Sequence, residues 1–204
     1  MLVPCYEMIR KAPSCERSMI DLTERIISAE EIFNGDVLHV QLHTVELPDG
    51  RQAPRELIRH VGAVCIVPVT DDGRVVVERQ YRYAIGRAII EIPAGKLDSP
   101  EEDRLEAAKR ELREETGLTA DRWTDLGLYY PAPAYSDEKI TMYLAEGLHR
   151  GSQELDEDEF LEVFTVPLEE LAAKIVSGEI TDGKTQVAVL KAAQILKKRE
   201  YGQD

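Results

Sequence analysis

The sequence predicts an α+β fold in which a mixed β-sheet lies between helices, preceded by a small antiparallel β-sheet. Before residue 93, apolar and polar residues alternate with a period of two over several short segments, the pattern of strands. A helical segment follows at 100–116, and more alternating segments and two further helical segments come after it. Strands on both sides of a helix, with a helix returning late in the chain, are typical of a sheet covered on both faces.

The first 60 residues are expected to form an N-terminal arm and an antiparallel sheet domain. Residues 1–20 show no periodicity and are interpreted as a loosely held arm, whereas 22–33, 36–46 and 51–59 read as strands. A sheet of two or three strands with one apolar face is marginally stable alone. The sequence therefore predicts a homodimer through this sheet, the alternative being that the sheet packs on its own chain.

The middle strand of this sheet carries two histidines. Leu38, Val40 and Leu42 are expected on its apolar face, with His39 and His43 on the opposite, exposed face. The two histidines are candidate metal ligands, but the sequence offers no third ligand beside them. An exposed strand face is the favoured interpretation.

Residues 61–204 are expected to form the main domain. Asp71-Asp72-Gly73 reads as the turn of a hairpin, and Pro167 and Gly178 as the start and stop of a helix. The predicted strands are 61–70, 74–83, 88–92, 123–130, 139–146 and 160–166, and the predicted late helices are 167–178 and 185–199.

The most informative segment is the helix that ends in Arg110-Glu111-Leu112-Arg113-Glu114-Glu115-Thr116-Gly117. Ser99 is its predicted N-cap, with Glu102 completing a capping box, and Gly117 sits where a left-handed residue ends a helix. At 100° per residue, Glu111 and Glu115 lie beside the buried stripe, with Glu114 just outside them.

These carboxylates predict a metal site. Like charges four residues apart destabilise a helix by roughly 0.2–0.5 kcal/mol, and more when they are held close to a core. A cation removes that repulsion, and carboxylate oxygens suit Mg²⁺ or Mn²⁺. The alternative is a solvated acidic helix face in a chain with 39 acidic residues.

The whole segment resembles the Nudix box, G-x5-E-x7-R-E-U-x-E-E-x-G-U with U aliphatic. Gly95 is displaced by one residue, so either Glu102 keeps the register with Arg110 or Glu101 keeps the spacing to Gly95. The positions that match in register are Glu102, Arg110, Glu111, Leu112, Glu114, Glu115, Gly117 and Leu118.

The resemblance implies a Nudix-type α/β/α sandwich in a catalytic domain at 61–204, and hydrolysis of a nucleoside diphosphate linked to another moiety. It implies two or more Mg²⁺ or Mn²⁺ ions held by Glu111, Glu115 and Glu114 together with the Ala94 carbonyl. It also implies that Arg110 orients these carboxylates by ion pairing.

Three further features resemble the ADP-ribose pyrophosphatase branch of the family. They are the sheet before the box, the run from Arg79 to Arg82 ahead of IIEIPAGK, and Pro133, sixteen residues beyond Gly117. Pro133 is followed by alanine where the branch more often has glycine. The resemblance implies that ADP-ribose is cut to AMP and ribose 5-phosphate, and that Arg55, Arg82 and Glu138 contact the substrate.

The branch also implies a general base on the acidic loop 154–159. Counting back from the following strand places the base at Glu159, with Glu157 second and the box residue Glu114 third. A solvated surface loop is the alternative. In this branch the N-terminal sheets are exchanged across a two-fold axis, so Arg55 would serve a site shared between subunits.

Other functions remain open on the sequence. The same apparatus cuts other nucleoside diphosphate sugars such as GDP-mannose or ADP-glucose. An isopentenyl-diphosphate isomerase-like enzyme would need a catalytic cysteine before the box, and Cys65 lies in an apolar strand instead. A non-catalytic nucleotide-binding Nudix scaffold would have lost box carboxylates, and this chain keeps them.

Composition limits the partners and the compartment. A formal charge of −14 disfavours nucleic acid, so an anionic substrate needs local cations or metal. No apolar run approaches the length of a membrane span, and the N-terminus has no leader pattern. Of the three cysteines, Cys5 and Cys15 could pair, but free thiols are the favoured interpretation, and a cytoplasmic enzyme is expected.

Overall fold

The computed structural model of the protein describes residues 20–155 and 160–202. Its strands form two separate sheets, a three-stranded antiparallel one and a seven-stranded mixed one. The strands are β1 (Arg25–Asn34), β2 (His39–Glu46), β3 (Gln52–Arg59), β4 (Ala63–Val69), β5 (Arg74–Arg82), β6 (Arg87–Glu91), β7 (Ala94–Lys96), β8 (Leu118–Tyr129), β9 (Ile140–Arg150) and β10 (Leu161–Pro167). The α-helices are α1 (Arg104–Thr116), α2 (Leu168–Val176) and α3 (Gly183–Glu200).

The large sheet has the strand order β10-β5-β4-β9-β8, with β6 added to β5 and β7 added to β4. β4 and β9 run parallel, and the other pairs are antiparallel, which confirms the mixed sheet. β4 is buried along its whole length because helices cover both of its faces. Alternate β4 residues therefore enter two different cores.

One core lies between the sheet and α1, and the other between the sheet and the pair α2 and α3. Val64 and Ile66 pack with Leu112 of α1 on the first side. Cys65 and Val67 pack with Val189 of α3 on the second. This arrangement is the predicted α/β/α sandwich. Burial also raises the pKa of the Cys65 thiol to about 12, so it is a core residue with no thiolate chemistry.

The N-terminal sheet confirms the predicted strands, but its faces differ from the prediction. His43 and Val45 are the buried side chains of β2, whereas Leu38 is exposed. Because alternate residues share a face, the covered side is that of His43, not that of Leu38. His43 is 7% exposed, and its Nε2 lies 3.0 Å from the Gln41 side-chain oxygen. The prediction that His43 lies on an exposed face is therefore wrong.

Helix α1 begins later than predicted. Its N-cap is Asp103, whose carboxylate accepts hydrogen bonds from the backbone N–H groups of Leu105 and Glu106. The prediction of Ser99 as N-cap is therefore wrong, because residues 98–102 form a turn ahead of the helix. The C-terminal prediction is confirmed: Gly117 has φ 69° and donates its N–H to the Arg113 carbonyl.

The strands directly before and after α1 differ from the prediction. β8 begins at Leu118, directly after the glycine that ends α1, and pairs along its length with β9. The short strand β7 was not predicted, because its three residues are too few to show alternation. It nevertheless contacts α1, because the Ala94 N–H donates to the Glu115 carboxylate. In the described part of the chain, no helix has the length and apolar character needed to span a membrane.

Candidate active site

The candidate site lies where β7 passes in front of α1. β7 pairs with β4, so Gly95 is opposite Val64, and this pairing brings its backbone against the side chains of the helix. A Cβ atom on Gly95 would lie 2.0 Å from the carboxylate carbon of Glu111. Only a residue without a side chain allows this approach, which explains the glycine at the start of the box.

The two carboxylates predicted beside the buried stripe are themselves buried. The exposed fractions of Glu111 and Glu115 are 9% and 4%. One Glu115 carboxylate oxygen accepts a hydrogen bond of 2.9 Å from the backbone N–H of Ala94. The first residue of β7 is thus joined directly to the last turn of α1, and the backbone of Ala94 lies at the carboxylate pair.

Arg110 joins the carboxylates of the box. Its guanidinium is 2.8 Å from Glu111, 3.1 Å from Glu114 and 3.4 Å from Glu102, and it also donates to the Lys96 carbonyl. Burial by itself would lower the pKa of Arg110, but these neighbouring carboxylates raise it above its usual value. The expected ion pairs between Arg110 and the box carboxylates are therefore present, and charge-assisted pairs of this kind favour a defined side-chain geometry.

The structure distinguishes the two candidates for the first glutamate of the box. Glu102 accepts a 2.7 Å hydrogen bond from the Asp98 backbone N–H and reaches Arg110, whereas Glu101 is exposed. The hydrogen bond from Asp98, with help from Arg110, holds the pKa of Glu102 below its usual value. The one extra residue between Gly95 and Glu102 is accommodated in the turn before α1, where the Glu102 N–H donates to the Ser99 carbonyl.

A pocket of about 440 Å³ opens between β7 and α1. Five carboxylates and two cationic side chains line it, which leaves a formal charge of −3. Glu111 and Glu115 are buried and Glu114 is half-buried, whereas Asp98 and Glu154 are exposed. An excess of negative charge around buried carboxylates favours a bound cation. The charged lining residues are Lys96, Asp98, Arg110, Glu111, Glu114, Glu115 and Glu154.

The residues of this pocket fit a divalent metal ion by their chemistry. They supply hard carboxylate oxygens from Glu111, Glu114 and Glu115, and the glycine cradle leaves room for them beside the Ala94 backbone. Within the described residues, no three acidic, histidine or cysteine side chains already converge on one point. The Arg110 guanidinium lies between Glu111 and Glu114 instead, neutralising the charge that a metal ion would neutralise.

Arg82 and Arg55, the two arginines expected to bind substrate, have different surroundings. Arg82 ends β5, and its Nε and Nη2 bind the two oxygens of the buried Glu91 carboxylate at 2.6 and 2.9 Å. Arg55 lies on β3 and pairs with Glu24. Neither lines the pocket between β7 and α1 in the described structure.

Glu138, the third expected substrate contact, belongs to the segment around Pro133, which docks on the strand leading into the large sheet. The Ile58 N–H donates to the Tyr135 carbonyl, and the His60 N–H to the Asp137 carboxylate. The Glu138 carboxylate lies 4.0 Å from the His60 ring. These contacts fix the segment beside β3.

The two leading candidates for the general base, Glu157 and Glu159, lie outside the described residues. The start of their loop is described, and it meets α1. The Glu154 N–H donates to the Glu114 carbonyl, and the Glu154 carboxylate is 3.7 Å from Arg113. The acidic loop therefore leaves from the wall of the box pocket.

The sequence did not predict the residues of α3 that contact the end of β6, on the side of the sheet opposite to the site. Lys184 and Thr185, in the first turn of α3, contact Glu91 and the Ile92 N–H on the opposite face of the sheet from α1. The sequence signal that could have pointed to them is the run Asp182-Gly183-Lys184-Thr185. In it, an aspartate that can cap a helix is followed by a lysine in the first turn.

A larger cavity, of about 780 Å³, lies beside the C-terminus of α1 and the edge strand β10. Its polar groups are mostly threonine hydroxyls, including those of Thr70, Thr116 and Thr165. Its charged lining residues are Asp71 and Arg150, one of each sign, so it lacks the cluster of carboxylates that a metal-assisted phosphate chemistry requires. The smaller pocket against β7 has this cluster and is the candidate active site.

Known proteins share both the fold and the box. A family model described as the NUDIX domain matches residues 59–184. The ADP-ribose pyrophosphatase of Bacillus subtilis is 43% identical over 173 residues, covering 84% of this chain and 93% of the relative. The methanol dehydrogenase activator of Bacillus methanolicus is 40% identical over 168 residues, covering 81% and 90%.

A solved structure, described as the crystal structure of an ADP compounds hydrolase, superposes with a TM-score of 0.77 at 25% identity, over 89% of this chain and 97% of that one. The shared fold, the matched domain and the box on α1 agree with one another. The chain belongs to the Nudix family of hydrolases.

Proposed function

We propose that this protein hydrolyses the pyrophosphate of ADP-ribose to AMP and ribose 5-phosphate with the help of Mg²⁺ or Mn²⁺. The observation that carries the proposal is the pair of buried carboxylates, Glu111 and Glu115, held against the Ala94–Gly95 backbone. The similarity to an ADP-ribose pyrophosphatase and to an ADP compounds hydrolase supports the choice of substrate.

The chemistry follows from charge. Water attacks one phosphorus atom of the pyrophosphate, the bridging P–O bond breaks, and the bridging oxygen leaves with the other phosphate. A bound divalent ion would neutralise the phosphate oxygens and lower the pKa of the attacking water. Glu111, Glu115 and Glu114, with the Ala94 carbonyl, would hold that ion.

The chain's own residues supply positioning and proton transfer. Arg110 keeps Glu111 and Glu114 in place through its ion pairs. Arg82, held by Glu91, leaves Nη1 for a phosphate oxygen, which suits the planar donor geometry of arginine. We assign Arg55 and Glu138 to the rest of the substrate.

We assign the general base to Glu159, with Glu157 second. The assignment is supported by Glu154, at the described start of this loop, which lines the pocket. Glu159→Gln should lower kcat strongly while Mn²⁺ and ADP-ribose still bind. If both Glu159→Gln and Glu157→Gln turn over normally, the base lies elsewhere, and Glu114 is the next candidate.

The substrate assignment is tested with a panel of nucleotide sugars in the presence of Mg²⁺. ADP-ribose should show the highest kcat/KM, with AMP and ribose 5-phosphate as products. A higher kcat/KM for GDP-mannose or ADP-glucose would replace ADP-ribose as the substrate. No hydrolysis of any member would favour a non-catalytic nucleotide-binding scaffold that regulates a partner; one relative is named as an activator of another enzyme.

The site assignment is tested with Glu115→Gln. The glutamine side-chain oxygen can still accept the Ala94 N–H, so the fold should be retained while the charge is lost. We expect a loss of about 10²-fold or more in kcat. Near-normal turnover of this variant at saturating Mg²⁺ would refute the assignment of α1 as the metal-binding helix.

We further propose that the protein is a cytoplasmic homodimer joined through β1, β2 and β3. β1 is exposed along its whole length and carries Ile26, Ile32 and Phe33, each more than half exposed. An apolar surface of this kind is typical of an interface. Sedimentation should give twice the 23.0 kDa chain mass, and a concentration-independent monomer would exclude the dimer.

A further inference from the structure

The bend that joins β6 to β7 determines where the Ala94 backbone lies. β6 ends at Glu91 and β7 starts at Ala94, so the backbone groups in between leave the strand ladder and need other partners. The Pro93 carbonyl accepts from the Ile66 N–H, and the Ala94 N–H donates to Glu115 of α1. The Ile92 N–H donates its hydrogen bond to a residue of α3, on the other side of the sheet.

Thr185 supplies that contact. Its hydroxyl oxygen accepts a 3.0 Å hydrogen bond from the Ile92 N–H and donates its own proton to the Asp182 carboxylate at 2.6 Å. Asp182 is the N-cap of α3 and also accepts from the Thr185 N–H. Thr185 is fully buried, so its hydroxyl has a fixed direction. The first turn of α3 thus determines the position of the bend from the face opposite α1.

Lys184 fixes the residue before the bend. Its ammonium contacts both Glu91 and Asp182, and Glu91 in turn holds Arg82 through two hydrogen bonds. Burial would raise the pKa of Glu91, but Arg82 and Lys184 outweigh it and lower the pKa, so the carboxylate stays ionised. One buried anion therefore joins α3 to the arginine at the end of β5.

Simple packing does not account for this cluster. Removing charges from water costs several kcal/mol per ion, and apolar side chains of the same volume often give equal or greater stability. What charged and hydrogen-bonding groups provide is direction, since each has a fixed donor or acceptor geometry. Here the Thr185 hydroxyl is directed at the Ile92 N–H, and Glu91, held by Lys184, is directed at the guanidinium of Arg82.

We infer that Thr185 and Lys184 are positioning residues of the active site: Thr185 sets the Ala94 backbone that faces the box carboxylates, and Lys184, through Glu91, sets the guanidinium of Arg82. The inference rests on the proposed function for its kinetic part. Outer residues that orient metal ligands typically contribute about 10–100-fold to metal affinity or activity.

The test uses Thr185→Val, which keeps the shape but removes the acceptor for Ile92, with Thr185→Ser as the conservative rescue. Mn²⁺ affinity is measured by electron paramagnetic resonance, and amide hydrogen exchange of Ala94 is measured in the metal-free protein. We expect Thr185→Val to bind Mn²⁺ about tenfold more weakly and its Ala94 amide proton to exchange faster than in wild type. Thr185→Ser should return the Mn²⁺ affinity and the exchange rate to values near those of wild type. Val189→Ala, in the same helix and also fully buried, is the control for lost packing and should lower only the melting temperature.

Lys184→Met gives the second readout. It should raise the KM for ADP-ribose about tenfold with a smaller change in kcat, since it releases Arg82 and not the carboxylates. Lys184→Arg should recover part of the loss.

Normal Mn²⁺ affinity and Ala94 exchange in folded Thr185→Val, or equal effects of Val189→Ala, would overturn the inference, as would an unchanged KM in Lys184→Met. If wild type cleaves no ADP-ribose but Thr185→Val still weakens Mn²⁺ binding, the proposed substrate fails and the positioning of Ala94 stands.

Discussion

Replacing Gly95 by alanine tests whether the close approach of β7 to α1 serves catalysis. The added Cβ would lie 2.0 Å from the Glu111 carboxylate carbon and 2.0 and 2.2 Å from its oxygens. Non-bonded carbon atoms rest at about 3.5–4.0 Å, so the carboxylate has to retreat by roughly 1.5 Å. Gly95 does not have a positive φ, so the backbone itself accepts alanine without strain.

The group that must move is the end of a flexible side chain, so the fold should survive the substitution. Glu111 is nevertheless buried, and it is held by Arg110, so it cannot stay where the proposed mechanism needs it. A displacement of about 1 Å at a catalytic centre costs on the order of 10²-fold in rate. We expect Gly95→Ala to retain a near-normal melting temperature and to lose about 10²-fold in kcat for ADP-ribose.

Gly73→Ala is the matched control. Gly73 has φ +76°, and a Cβ there would meet no atom within 4 Å, so the cost is conformational and about 1–2 kcal/mol. This variant should lose stability and keep its turnover, the opposite result to Gly95→Ala. Thermal unfolding and steady-state hydrolysis of ADP-ribose measure both. Turnover of Gly95→Ala within threefold of wild type would refute the reasoning.

Two further predictions concern stability. Asp103→Ala removes the observed cap of α1 and should cost about 1 kcal/mol, whereas Ser99→Ala should be nearly neutral; equal losses in chemical denaturation would contradict the assignment of the cap. The pKa of Glu91 is lowered in the folded protein, so the stability that it contributes is present above its ordinary value of 4.5 and is lost as the pH falls through the lower, folded value. Lys184→Met removes one cause of that lowering and so narrows the gap between the folded and unfolded pKa values of Glu91. The melting temperature of the variant should therefore fall less than that of wild type between about pH 5 and pH 3, and equal falls would exclude the contact with Lys184 as a source of stability.

The sequence by itself determined the elements with strong local patterns. The three strands of the N-terminal sheet and the β4–β5 hairpin were predicted because period-two alternation and turn residues are local properties. Gly117 was correctly predicted to end α1, since only glycine readily adopts the left-handed conformation there. The box carboxylates were found from their spacing and from the resemblance to the Nudix box.

Only the tertiary structure decided how these pieces meet. Ser99 and Asp103 are both good caps by residue type, and what separates them is the path of the turn, in which Glu102 is held by Asp98 and Arg110. The burial of His43 depends on which side of the sheet is covered, and alternation alone does not reveal that.

The same holds for the groups behind the site. Thr185 and Lys184 lie about 90 residues from Glu91 and Ile92, and each contact has the size of a single hydrogen bond or ion pair. A short window of sequence therefore never contains both partners of such a contact. Such contacts form only when sheet pairing and helix packing have brought distant segments together, because direction and distance, not residue type, decide whether two polar groups bond.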